Sequence, residues 1–381
     1  MVKGVRFSGV ASGIKAGALD LGLVFFDEPV YAVPLYTKNR VKAAHILYNR
    51  KRVRNPVRTL IVNSGCANAC TGHDGVADID AIAAAAAREL GIDKSEILFA
   101  STGVIGTRLP VGKIVAALPE LKRHLKEKHV ELFARAIMTT DTHPKIVQGH
   151  LTGKGGGMIV GVAKGSGMIN PLFATMLSFL FTDAAVPYEG LKRVVPGLGK
   201  ESFERITVDG ETSTNDTVIV FARNAGNADD LKPFRETLGG LMRELSLMIV
   251  KDGEGATKVV HITVNGAKRK ELAEKIARRI ATSPLCKTAF FGCDPNWGRI
   301  IAAAGDANVP IDQNKAEIVL QGETLVRNGV EVPFSEEKLK KLMDKKELEL
   351  VVNLCGGRAS YDIYTTDLTF DYVKINASYR S

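Results

Sequence analysis

No apolar run in this 381-residue chain approaches the roughly 20 residues that a membrane helix needs. The longest, 81–87 and 171–181, fall far short. Lys15 and Asp20 interrupt the stretch that a secretory leader would keep apolar, so a cytoplasmic location is the expectation. Cysteine is scarce: five residues, at 66, 70, 286, 293 and 355. An odd count without a leader predicts free thiols in a reducing compartment. Cys66, Cys70 and His73 have no second ligand pair nearby, so no metal site is expected. Seven histidines are scattered, none in HExxH, and no GxSxG elbow exists. A zinc peptidase and a Ser-His-Asp hydrolase therefore have no support. Neither GxxxxGK[ST] nor GxGxxG occurs, which excludes the common phosphate-cradling loops.

Apolar residues (45%) are spread along the whole chain, as in a folded protein with a large core. The length allows two or three lobes or one large unit. The net charge of +9 suits nucleic acid, an acidic surface or anionic small molecules. Most basic residues are interleaved with acids, as in 336–349. The tract 38–58 is more one-sided, with Arg40, Lys42, Arg50, Lys51, Arg52 and Arg54, but Tyr48 is its one stacking aromatic. Neither a nucleic-acid nor a membrane partner is expected on that footing.

Periodicity predicts strands at 23–36, 59–63, 97–100, 158–163, 202–208, 217–222 and 257–264. Helices are predicted at 74–90 (stopped by Gly91), 111–118, 130–138, 231–250, 268–282, 296–305 and 336–344. The ending, 348–353, 359–364 and 368–374, reads as an antiparallel meander. The fold class is α/β of the α+β type, with helices packed on β-sheets.

The informative segment is 164–184. Eight glycines between 149 and 167 mark backbone that turns tightly or approaches something closely. Thr175 follows, between Ala174 and Met176-Leu177, ahead of an apolar run that looks helical. Read locally, Thr175 is a helix N-cap. In the same way Ser101-Thr102-Gly103 is an ordinary strand-end turn.

The motifs taken together resemble the ornithine acetyltransferase family, the bifunctional glutamate N-acetyltransferases of arginine biosynthesis. They are Asn63-Ser64-Gly65-Cys66-Ala67-Asn68, Ser101-Thr102-Gly103-Val104-Ile105-Gly106, Met138-Thr139-Thr140-Asp141-Thr142 and the segment from Lys164 to Thr175. Further on come Asp209-Gly210-Glu211-Thr212-Ser213-Thr214-Asn215-Asp216, Asp252-Gly253-Glu254-Gly255-Ala256-Thr257-Lys258, Asp294-Pro295-Asn296-Trp297-Gly298-Arg299 and the terminal Asn376-Ala377-Ser378-Tyr379-Arg380-Ser381. The likeness spans essentially the whole chain.

The resemblance implies that the chain cuts itself between Ala174 and Thr175 into an α chain (1–174) and a β chain (175–381) that fold together. Thr175 Oγ would then carry the acetyl group from N2-acetylornithine to glutamate. A threonine hydroxyl needs a base. The cut would expose an α-amine of pKa about 7.7–8.0 beside that hydroxyl, so no histidine is required. By the same resemblance Thr102 and Gly103 stabilise the oxyanion. Thr139, Lys164, Thr175, Glu254, Asn376 and Ser381 contact substrate, and Thr142 is a neighbour of that set. Lys164 suits a carboxylate and Glu254 an ammonium. With Ser381 in the set, the chain terminus would fold into the site. No cofactor is implied; acetyl-CoA is a second acetyl donor in some members. The assembly implied is a heterotetramer of two α and two β chains. The motifs at 209–216 and 294–299 receive no chemical role. Asn296 reads as a helix start, Trp297 as a packing residue and Arg299 as an ion-pair partner. Two other readings stay open: an autoproteolytic hydrolase or aminopeptidase with the same threonine chemistry, and a basic nucleic-acid-binding protein.

Overall fold

Eight strands from the first 223 residues share one mixed sheet. They are β1 (Val5–Val10), β2 (Leu21–Tyr36), β3 (Val57–Cys66), β4 (Ile97–Val104), β5 (Lys145–His150), β6 (Met158–Lys164), β7 (Leu177–Ala185) and β8 (Thr217–Arg223). The order is β4-β3-β2-β8-β7-β6-β5, with β1 also paired to β2. This computed structural model describes residues 1–151, 156–170, 176–223, 225 and 231–378. Its contacts group into two units. The first holds Met1–Glu204 and Glu211–Ile249; the second holds Arg205–Gly210 and the described residues from Val250 onward.

The β3–β4 and β7–β8 pairs are parallel and the other pairs antiparallel. Parallel neighbours need a crossover. Helices of the first unit are α1 (Ala44–Arg50), α2 (Gly72–Leu90), α3 (Val111–Arg123), α4 (Val130–Ala136) and α5 (Tyr188–Glu201). Of these, α2 lies between β3 and β4 in sequence, and α5 between β7 and β8. Gly91, with φ +69°, ends α2 in a left-handed cap as its sequence predicts.

β7 corrects the sequence reading, which takes the run after Thr175 as helical. Leu177–Phe181 are all buried, as is the body of β8. Interior strands covered on both faces read as unbroken apolar runs, and such runs carry no period to separate strand from helix. α4 approaches the sheet closely over two glycines. A Cβ at Gly9 would lie 2.2 Å from the Leu132 carbonyl oxygen, and one at Gly22 2.7 Å from Phe133 Cδ2. Below them, Phe7 meets Phe181 edge-on with centroids 5.3 Å apart, and Phe181 stacks on Phe221 at 5.4 Å. Such pairs add about 1 kcal/mol each beyond burial.

Three cations of the basic tract serve local structure. Arg52 lies over the Tyr48 ring and donates to the Tyr48 carbonyl, Arg58 donates to that of Phe26, and Lys42 to that of Thr37.

Helix α6 (Lys232–Lys251) starts in the first unit and ends in the second. The second unit has six strands: β9 (Val259–Ala267), β10 (Glu317–Leu320), β11 (Glu323–Arg327), β12 (Val330–Glu331), β13 (Glu347–Asn353) and β14 (Ala359–Thr366). Their order is β12-β11-β10-β13-β9-β14. Its helices are α7 (Lys270–Ala281), α8 (Pro284–Phe291), α9 (Trp297–Gly305), α10 (Glu336–Met343) and α11 (Phe370–Ser378). Val260, Ile262 and Val264 of β9 share a core with Ala273, Ile276, Ala277 and Ile280 of α7, the i, i+3, i+4 face of an amphipathic helix.

Two sequence expectations fail here. Residues 202–208 are not a strand: Phe203–Arg205 form a 3-10 turn, followed by a lone bridge from Ile206 to Tyr364. The ending is not a meander either. β9 lies between β13 and β14, parallel to the first, and 368–374 enters helix α11. Asp367 stops the ladder by accepting from the Thr257 and Lys258 N–H groups at 2.9 and 3.1 Å. Thr369 Oγ1 then accepts the Tyr372 N–H at 3.1 Å, as a helix N-cap does. Among the described residues, no helix is long and apolar enough to cross a membrane, and all five cysteines are free.

Candidate active site

The parallel strands β3 and β4 pair Ser64 with Thr102 and Gly65 with Gly103, with an irregularity at Gly65–Cys66. Gly103 has φ +126°, and a Cβ there would lie 2.4 Å from the Gly65 carbonyl carbon and 2.6 Å from the Cys66 nitrogen. So Ser101-Thr102-Gly103 is not a strand-end turn but part of the ladder, where two backbones approach closer than any side chain permits.

Lys164 ends β6 and is only 5% exposed. Its ammonium donates to Thr139 Oγ1 at 2.8 Å and to Thr102 Oγ1 at 3.2 Å. Three residues picked from separate motifs thus meet at one cation. Lys164 is the charge-assisted donor to the Thr102 oxygen, so the Thr102 hydroxyl proton is directed elsewhere.

Beneath this cluster lies Asp141. One of its carboxylate oxygens accepts from Lys145 Nζ at 2.7 Å and the Gly165 N–H at 2.6 Å; the other accepts the Thr139 N–H at 3.1 Å. Burial alone would push this carboxyl up. The Lys164 and Lys145 ammonium groups and the two Oδ1 hydrogen bonds outweigh it and hold the pKa at about 2. Lys15 donates to the Met138 carbonyl at 2.9 Å. Burial lowers its pKa and Lys164 adds to that, against the pull of Asp20 and Asp141. The site therefore sets the Lys164 and Lys145 ammonium groups on one carboxylate, and its Asp141–Lys145 pair is wholly sealed from water.

That seal gives a stability prediction. Asp141→Asn removes the carboxylate from a fully enclosed ion pair with Lys145, and breaking such a pair costs about 3–5 kcal/mol. The wild-type carboxyl titrates lower in the folded chain than in the unfolded one. Its contribution, roughly 2–3 kcal/mol, is therefore complete above pH ~4 and lost as pH falls toward ~2. Urea midpoints at neutral and acid pH should show both effects. An Asn variant as stable as wild type at pH 7 would contradict the assignment.

The 209–216 motif, chemically silent in the sequence, holds this site from behind. Asn215 Nδ2 donates to the Ala67 carbonyl at 2.6 Å and the Ser101 carbonyl at 2.7 Å, fixing the chain on either side of the Gly65–Gly103 contact. Thr214 Oγ1 donates to Asn215 Oδ1 at 2.6 Å and orients the amide. Thr212 Oγ1 donates to the Asn170 carbonyl at 3.2 Å, and the Thr217 N–H to that of Met176 at 3.0 Å. One stretch thus grips the chain on both sides of 171–175.

In the second unit, Asn376 Nδ2 donates to Glu254 Oε2 at 2.9 Å, so these two expected substrate contacts are neighbours. Gly255 makes this close: with φ +63°, its Cβ would lie 2.4 Å from the Tyr372 nitrogen of α11. Thr142 is exposed, its hydroxyl 2.9 Å from His143 Nδ1. Ala174, Thr175 and Ser381 lie outside the described residues. Asn296 caps α9, accepting the Arg299 N–H at 3.2 Å, and Trp297 packs on the core while donating to Glu331 at 2.6 Å. Arg299 corrects the ion-pair expectation: its guanidinium donates to the Leu285 carbonyl at 3.0 Å and the Thr288 hydroxyl at 3.3 Å. Sequence reasoning gave no role to Asp141, Lys145 or Asn215. The one signal for the first two is their i, i+4 opposite charges next to the Thr139 motif.

A sequence profile described as the ArgJ family matches residues 6–381. The Arginine biosynthesis bifunctional protein ArgJ of Geobacter sulfurreducens is 43% identical over 393 residues, covering all of both chains. The protein of the same name from Thermus thermophilus is 43% identical over 99% of this chain and 98% of its own. The Glutamate N-acetyltransferase of Methanopyrus kandleri is 41% identical over 97% of each. Among solved structures, that of the Arginine biosynthesis bifunctional protein argJ from Bacillus halodurans matches with TM-score 0.51 and 36% identity, over 54% of this chain and 100% of that one. With full-length likeness of this strength, and with the Lys164 cluster assembled from the motifs that carry it, the chain belongs to the ArgJ family and is an acetyltransferase of arginine biosynthesis.

Proposed function

We propose that the chain cuts itself between Ala174 and Thr175, and that Thr175 then moves an acetyl group from N2-acetylornithine to glutamate through an acetyl-ester. The carrying observation is the Lys164 cluster together with the strand register. β6 and β7 pair Lys164 with Leu177, so the chain between them leaves and re-enters the sheet at the cation that binds Thr102 and Thr139. Residues from Leu177 onward are strand, which leaves a helix cap at Thr175 with no helix to cap. The share of the chain matched by the Bacillus halodurans structure also supports a two-piece product. It covers 54% of this chain, and residues 175–381 are 207 of 381, the same fraction.

In the reaction, Thr175 Oγ attacks the acetyl carbonyl and ornithine leaves as the free amine. Glutamate's amine then attacks the ester and regenerates Thr175. Both steps pass through an oxyanion, to which Thr102 and Gly103 are assigned as donors; one such donor is worth about 3–4 kcal/mol. Lys164, with Thr139 beside it, is assigned to the substrate carboxylate, and Glu254, with Asn376, to the ornithine ammonium. Ser381 completes the set. For the bifunctional form, acetyl-CoA loads the same threonine, and the two kinds of chain remain together as a heterotetramer. No resident cofactor or metal is invoked.

Intact mass under denaturing conditions tests the first half. Two fragments meeting at Ala174 and Thr175 are expected; a single chain that persists on warm incubation would overturn the reading. Incubation with N-acetylornithine, with and without glutamate, tests the second. Acetate released without glutamate marks a hydrolase; acetylglutamate formed only with it marks the transferase.

A further inference from the structure

The second unit carries a cleft of about 790 Å³ that none of the residues assigned to acetyl transfer lines. It opens where β9 passes into α7, beside residues 310–315 and 354–356. Small-molecule sites typically measure about 300–1,000 Å³. Leu272, Pro310, Ile311 and Leu354 give the cleft apolar lining. Of these four only Leu354 is buried; the others keep apolar surface open to solvent within a concavity. Apolar surface left in such a place marks a binding site more often than a lone exposed side chain does.

The walls are held in place by the fold. Gly266 has φ +71°, and a Cβ there would lie 2.5 Å from Asn353 Oδ1. The Gly356 N–H donates to the Gly266 carbonyl at 2.8 Å, and the Leu354 N–H to that of Asn265 at 2.9 Å. Asn353 Oδ1 also accepts the Cys355 N–H at 3.0 Å. Residues 353–356 are thus clamped against the end of β9. Asp312, also in the lining, accepts the Asn314 N–H at 3.2 Å and pairs with Lys315 at 3.1 Å. Walls set before a ligand arrives lose little affinity to ordering.

The charges are one-sided. Lys268, Arg269, Lys315 and Asp312 line the cleft, and the last two neutralise each other. Further along α7, Arg278 pairs with Glu274 and Arg279 with Asp306. Lys268 and Arg269 have no ion-pair partner among the described residues. Two unanswered cations therefore stand beside open apolar surface.

We propose that this cleft is a second binding site and that it takes an organic anion. Lys268 and Arg269 hold a carboxylate or phosphate head, and the apolar body lies on Leu272, Ile311 and Leu354. A guanidinium offers such a head a planar fork, and an ammonium adds a point charge. A wholly apolar ligand leaves both cations unanswered, and a bare inorganic anion leaves the apolar lining wet. The site is independent of the reading given to Thr175.

Cys355, exposed and free on the wall, reports occupancy; Cys70, exposed and free in the first unit, is the internal control. Purified protein is treated briefly with neutral dithiodipyridine, and modification of each thiol is followed by peptide mass. The reaction is run alone and with octanoate, acetate or octylammonium. A ligand of about ten non-hydrogen atoms reaches roughly millimolar affinity. At ~10 mM octanoate the Cys355 rate should therefore fall roughly tenfold, while the Cys70 rate stays unchanged. Acetate lacks the body and octylammonium has the wrong charge, so neither should protect. Lys268→Gln combined with Arg269→Gln alters two exposed side chains, should melt with wild type and should lose the protection. An unchanged Cys355 rate in octanoate overturns the proposal. Equal protection by octylammonium also overturns it, because the cations then select nothing, and so does protection that survives in the double variant. Equal slowing of Cys70 makes octanoate a general surfactant and overturns it as well. The comparison of probes on wild type decides the matter even where the double variant fails to fold.

Discussion

Thr175→Ala is expected to yield one uncut chain and to lower acetyl transfer to the background. The loss should be on the order of 10⁶-fold, as for removal of other covalent nucleophiles. The size follows from the double duty of one oxygen. In the proposed mechanism the same Oγ attacks the Ala174 carbonyl and later the acetyl carbonyl, and the cut supplies the α-amine that serves as base. Alanine removes the oxygen from both steps and withholds the amine as well. Thr175→Ser keeps the oxygen and should keep both activities at reduced rates, since it loses only a methyl group that restricts the rotamer. Intact mass and steady-state formation of acetylglutamate read the two steps separately. Wild-type cutting or transfer in the alanine variant would end the covalent role of Thr175. Cutting without transfer in the serine variant would show that the two steps have different geometric demands.

How much of this site could be read from the sequence depended on what each residue advertises. Thr102, Thr139 and Lys164 sit in ordered motifs, and the structure joins them at a single ammonium. In the second unit, Glu254 and Asn376 come from motifs far apart in the sequence and lie 2.9 Å apart. Asp141 and Lys145 were not, because a charge in a sequence looks solvated by default. Only the fold shows that this pair is fully enclosed. Asn215 was invisible for a similar reason: an amide that bonds two backbone carbonyls leaves no spacing rule behind. Most regular elements followed from periodicity and caps. The failures came where periodicity is silent, as in the unbroken apolar run of β7. They also came where a side chain ends a ladder, as Asp367 does before Thr369 starts α11.

These corrections change how the 209–216 motif is understood. Its second half, Ser213 to Asp216, is buried. Together with Thr217, the motif ties the carbonyls of Ala67, Ser101, Asn170 and Met176, four points on four separate chain segments. A site whose donors must hold within a few tenths of an ångström needs such a frame, because a misplacement of about 1 Å can cost ~10²-fold in rate. The frame is polar and nearly dry, and each link is a hydrogen bond that water would otherwise contest.

Gly103 offers the sharpest test of that frame. Gly103→Ala should lower stability by about 3–5 kcal/mol, the sum of positive-φ strain and a steric displacement. At φ +126° and with the Gly65 carbonyl carbon 2.4 Å from the new Cβ, the methyl can be seated only if β3 and β4 move apart. That movement carries the Thr102 hydroxyl and the Gly103 N–H away from the position proposed for the developing oxyanion. Transfer should fall by roughly 10²-fold or more in the protein that still folds. Gly106→Ala is the control. Gly106 also has positive φ, +85°, but its Cβ would meet nothing within 4 Å. It should lose only the conformational cost of about 1–2 kcal/mol and keep its turnover. Thermal melting should separate the two variants by several degrees, and kcat should separate them far more. If both glycines respond alike, φ alone explains them and the close approach of β3 to β4 does not set the geometry of the site. If Gly103→Ala alone loses turnover while Gly106→Ala keeps it, the contact between two backbones is what aims the oxyanion donors.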